Sequence, residues 1–154
     1  MSIRRTALLL AALPLSTLVR PVTAQQGAPV MVVPRESQHA RALQTIGLTD
    51  LSVDYSRPAV KGRKIWGALV PFDSVWRAGA NENTVLAVSS PFTIGGIRLP
   101  AGRYGVHTIP TAAKWTFILS REANNWGSFS YDPAADAARF HVTPQAADHV
   151  EHLR

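Results

Sequence analysis

The sequence predicts an all-β domain: an antiparallel β-sandwich or barrel-like sandwich with one long ordered loop and at most short helical turns. Three observations carry this expectation. Short runs of alternating apolar and polar residues recur along the chain, separated by Gly- and Pro-containing turns. No stretch sustains a helical period. Between the early and late strands lies Ser56–Thr84, SRPAVKGRKIWGALVPFDSVWRAGANENT, which Pro58, Pro71, Gly62, Gly67 and Gly79 cut into pieces too short for a long helix or strand. A flexible linker would not carry Ile65, Trp66, Leu69, Val70, Phe72, Val75 and Trp76, so this reads as a packed loop laid over a β scaffold, the kind of segment that tends to carry function.

Taken in order, residues 1–24 have the pattern of a secretory signal peptide. Arg4 and Arg5 form the charged start, Ala7–Leu15 is an apolar run too short to span a bilayer, and Val22-Thr23-Ala24 suits cleavage before Gln25. A retained N-terminal anchor is the alternative. Residues 25–37 read as a tether and 38–154 as one β domain. Removing Arg4, Arg5 and Arg20 with the leader lowers the formal charge from +6 to +3, which gives no argument for nucleic acid. The absence of cysteine excludes disulfides, thiolate catalysis and Cys-based zinc sites. These features place the protein outside the cytoplasm, secreted or periplasmic, with no transmembrane segment in the mature chain.

Gln38–Ile46 is a first strand with poor alternation. Leu51–Tyr55 is a clear one, with Leu51, Val53 and Tyr55 facing one side. Thr84–Ser89 is apolar enough to be buried on both faces. Pro91–Ile94 and Ile97–Leu99 flank Gly95-Gly96, a two-residue hairpin signal in which both turn residues take positive φ. Arg103–Ile109 places Tyr104, Val106 and Thr108 on one face, and Trp115–Ser120 alternates strongly. Arg121–Trp126 suits one helical turn stopped by Gly127, Ser128–Tyr131 and Arg139–Thr143 read as short strands, and Pro133 opens a helical turn between them. His149–Arg154 starts a further strand, either cut short or completed by a partner.

The segments IGLTDLSVDYSRPAVKGRKIWGALVP (46–71), VWRAGANENT (75–84), IGGIRLPAGRYGVHTIP (94–110) and WGSFSYDP (126–133) resemble an exported bacterial family called domain of unknown function 2911, over roughly residues 34–154. The resemblance implies an exported, mostly β domain, often found in gliding and soil bacteria and sometimes followed by helical repeats, with further residues beyond the position of Arg154. It brings no catalytic or binding residue to transfer.

The chemistry concentrates in the long loop. Arg57, Arg63, Lys64 and Arg77 can converge on a carboxylate or phosphate, and Trp66 and Trp76 can offer flat faces to a ligand. The competing reading is that the tryptophans pack the loop onto the sheet while the arginines stack on them or cap carbonyls. Arg77, Asn81 and Glu82, around small residues 78–80, suit either a ligand clamp or a salt bridge that locks the loop. His107 either lines a pocket or is a satisfied sheet histidine. Asp148-His149-Val150-Glu151-His152 is the one His/acid cluster; on a strand His149 and Glu151 share a face, and no third ligand is named, so no metal and no cofactor is expected. No nucleophile elbow, P-loop, dinucleotide or zinc-protease motif occurs. The expected function is binding of a small polar or anionic envelope ligand through the 56–84 loop. One alternative is a hydrolase-like enzyme at the same face, with Glu82 or His107 as base. Another is an assembly module, a homo-oligomer pairing by strand addition at its C-terminal edge. Convergence of Arg63, Trp76, Arg77, Asn81 and Glu82 on one concave site would favour binding.

Overall fold

The alternation at Leu51–Tyr55 extends in the computed structural model, which describes residues 33–154, into a strand that is second of eight. The strands are β1 (Gln38–Ile46), β2 (Thr49–Arg57), β3 (Thr84–Val88), β4 (Phe92–Ile94), β5 (Ile97–Leu99), β6 (Gly102–Ile109), β7 (Trp115–Ser120) and β8 (Asp136–Val142). Six form one antiparallel sheet in the order β1-β2-β3-β6-β7-β8, and β4 and β5 form a separate hairpin. A 3-10 turn at Pro133–Ala135 completes the regular structure, capped by the Asp132 side chain, which accepts from the Ala134 amide. The architecture is all-β and sandwich-like, as expected. The leader and residues 25–32 of the tether lie outside the described residues.

Register shows why these segments pair as they do. Val53 sits opposite Leu86 and Leu86 opposite Tyr104, while Val106 faces Leu119 and Leu119 faces Ala138. One face of the sheet therefore presents a continuous apolar band. The β4–β5 hairpin lies on it: Leu99 joins the buried core, with Phe92, Ile94 and Ile97 packed against it. Each fully buried Leu or Val contributes about 1.5–3 kcal/mol, and the largest buried cluster lies in this layer. Gly95 and Gly96 both take positive φ, 56° and 80°, as the hairpin turn requires.

The opposite face is covered by the segment after β7. Ile118 is fully buried there, beside His107 and Ser120. Gly105 makes the close approach possible, because a Cβ at that position would lie 2.6 Å from the Glu122 carbonyl oxygen. This covering layer departs from expectation. Arg121–Trp126 forms no helical turn, since its backbone groups bond outward: Arg121 donates to Ala135 O, Glu122 to Ser120 Oγ, and Asn125 O accepts from Asn83. Ser128–Tyr131 forms no strand; Gly127 turns the chain at φ 72° and the Tyr131 amide closes a turn on Ser128 O.

Candidate functional site

The long loop is ordered by its own hydrogen bonds and by the sheet. Val70 donates to Ile65 O and Gly67 to Val70 O, folding 65–70 into a compact turn. Trp76 and Thr108 exchange both main-chain hydrogen bonds at 2.8 Å, so Trp76 extends the sheet beside the end of β6. Trp66 stands edge-on to Trp76 and Trp115, with ring centroids 5.5 and 4.5 Å away. Every non-glycine residue with positive φ among the described residues lies in this loop: Lys61, Asp73, Ala78 and Asn81. Such strain costs about 1 kcal/mol or more at each position and clusters at functional sites.

The C-terminal tail forms the other wall. Val60 donates to Glu151 O and Leu153 to Pro58 O, making an antiparallel bridge between Ala59 and His152. The Lys61 amide donates to the Glu151 carboxylate at 2.8 Å, which holds that carboxyl below the usual range. The strand begun at 149–154 thus pairs within its own chain, and His149 and Glu151 share a face, 3.7 Å apart. Between loop and tail lies a cleft of about 770 Å³. Its apolar wall includes Val60, Ile65, Leu69 and Val70; Trp66 and Trp76 add flat surfaces. Arg63, Arg77, Arg154, His149 and His152 line it, and no Asp or Glu does among the described residues.

The nine residues singled out from sequence separate into groups. Arg63, Trp66, Trp76 and Arg77 meet in the cleft. Arg63 donates to the carbonyls of Ala59 and Val60, while the buried Nε of Arg77 has no partner. Arg57 binds Leu153 O and so anchors the tail. Lys64 is exposed and lines no part of the cleft. Asn81 donates to Ser37 O and Ser56 Oγ, tying the loop to β2. Glu82 turns away and pairs with Arg35 at 2.5 Å, a contact that holds its carboxyl below the ordinary range. His107, 2% exposed, lies on the opposite face, its Nδ1 2.9 Å from Ser128 Oγ and its ring beside Tyr131. Burial lowers its pKa, against the opposing pull of Asp136 and Glu122.

A family model described as "Protein of unknown function (DUF2911)" matches residues 37–154. The chain belongs to this family. No significant match was found among curated proteins or among solved structures.

Two features of this DUF2911 domain were not anticipated. The tail's contribution to the cleft, His149 and His152, is assembled by pairing across some ninety residues, and its one sequence signal was the strand expected to start at His149–Arg154. The second is a groove on the face of β1–β2–β3 that holds Arg41, Asp54 and Val85, where Glu82 ends up. Its residues come from β1, β2, β3 and the residues just before it, β6 and the covering segment, and no local spacing links them.

Proposed function

We propose that this DUF2911 domain is an exported binding module for a small organic anion with an apolar or aromatic body, held in the cleft between loop and tail. The carrying observation is the lining: three arginines and two histidines among aliphatic and tryptophan walls, with no Asp or Glu among the described residues that form it. A buried Arg77 Nε–H without an acceptor is costly, and an incoming carboxylate or phosphate supplies one. Trp66 and Trp76 give the body of the ligand a rigid surface. The leader pattern at 1–24 and the lack of cysteine support action outside the cytoplasm. The hydrolase alternative has less behind it, since Glu82 is bound to Arg35 and His107 lies outside the cleft.

A thermal-shift comparison tests this. Indole-3-acetate and decanoate should raise Tm, while their neutral amides should do so far less, and Arg77→Met should lose the difference with its own Tm nearly unchanged. Equal effects of acids and amides on both proteins would reject the reading.

A further inference from the structure

The groove on the other face shares no lining residue with the cleft and has its own chemistry. It encloses about 520 Å³. Its floor follows one register line, Arg41–Asp54–Val85, across β1, β2 and β3. Asn83 lines it and is only 5% exposed, yet neither Oδ1 nor Nδ2 of its side chain has a hydrogen-bond partner among the described residues. The main-chain N–H of Asn83 is satisfied by Asn125 O, so the orphaned groups belong to the carboxamide alone. Buried polar groups are nearly always paired, and leaving two unmade costs more than an apolar side chain of similar size would. Nothing in the packing demands an amide here.

The charges around it are arranged with one left over. Glu82 is bound by Arg35, and Asp54 is shared by His39 and Arg41 at 3.5 and 3.4 Å. Arg103 lines the groove, is exposed, and joins none of the ion pairs among the described residues. Because both acids already have cationic partners, a carboxylate approaching Arg103 meets little repulsion.

We propose that this groove is a second ligand site, for the C-terminal end of a short peptide. The Arg103 guanidinium takes the terminal carboxylate as a planar fork. The Asn83 carboxamide, with a donor and an acceptor side by side, pairs with a main-chain N–H and C=O of the peptide. Spacing suits this occupant. Arg103 lies opposite Ala87, four residues along β3 from Asn83, which is about 13 Å between their Cα atoms. The side chain of Arg103 shortens that gap, and an extended tripeptide spans about 10 Å.

The test is a titration of the isotope-labelled protein with N-acetyl-trialanine as the free acid and as its C-terminal amide, followed by amide and side-chain NMR shifts. The free acid should shift the Asn83 side-chain amide, the Val85 amide and the Arg103 Nε–H, and the amide form should bind about tenfold more weakly. Arg103→Gln should erase the difference between the two forms. Asn83→Leu should abolish binding of both while Tm holds or rises. No shift at these positions at millimolar peptide overturns the proposal. So do shifts confined to the loop–tail cleft, or an Arg103→Gln protein that still prefers the acid. Asn83→Leu with lower stability and unchanged peptide binding would also overturn it, assigning the carboxamide to a structural water instead.

Discussion

His107 illustrates how one side chain joins packing to pH. It is buried on the sheet face opposite the hairpin, where the Ser128 hydroxyl meets its Nδ1 and Asp136 and Glu122 offer only distant compensation. Burial disfavours the imidazolium, so its pKa in the folded protein lies below the ordinary value near 6.5. In the unfolded chain it protonates at its ordinary value. Its contribution is therefore intact above about pH 6.5 and is lost as pH falls through that value towards the folded pKa, because only the unfolded state gains the proton. The lowered carboxyls of Glu36, Glu82 and Glu151 act further down, below the ordinary carboxylate value of 4.5. Tm should thus decline between pH 7 and pH 5 in the native protein, and His107→Gln should flatten that part of the profile. An unchanged slope would mean that other groups govern it.

At the level of elements, the hairpin turn separates two costs that are usually mixed. Gly95 and Gly96 both need positive φ, but a Cβ at Gly95 would sit 2.4 Å from Phe140 Cβ, whereas one at Gly96 meets nothing within 4 Å. Gly96→Ala should cost about 1 kcal/mol, the conformational penalty alone. Gly95→Ala adds the displacement of Phe140 and should cost about 3 kcal/mol. Urea denaturation of the two variants measures the gap, and equal losses would show that the hairpin does not press on β8. The tail makes a second element-scale prediction. The Val60 and Lys61 amides are bonded only to Glu151. Ending the chain before Asp148 should abolish hydrogen-exchange protection at those amides and cost about 1–2 kcal/mol, leaving protection in β3 and β6 in place. Retained protection at Val60 would show that the cleft wall stands without the tail.

For the molecule as a whole, period-two alternation and turn residues revealed most of the sheet. The hairpin turn was legible because Gly95-Gly96 takes the positive φ of a two-residue turn without steric cost, and β3 because Val85–Val88 is apolar throughout. The covering segment 121–132 was not, since the bonds that place it, Arg121 to Ala135 O and Asn83 to Asn125 O, reach across the sequence, and its short-range bonds form no regular repeat. The same distinction holds for the sites. Arg63, Trp66, Trp76 and Arg77 lie in one stretch of chain and are brought together by it. Asn81 and Glu82 share that stretch but face elsewhere, because Ala78 and Asn81 in the left-handed region redirect the chain between Trp76 and β3. The side-chain direction after such a turn depends on backbone dihedrals that composition does not show. Arg103 and Asn83 are linked only by sheet register.

The proposed binding of an organic anion in the loop–tail cleft rests on Arg77. Isothermal titration calorimetry of indole-3-acetate into the native protein and into Arg77→Met addresses it most directly. Binding to the native protein with a loss of about tenfold or more in the variant, equivalent to about 1.4 kcal/mol, is the predicted result; equal affinity in both, or no heat from either, would contradict it.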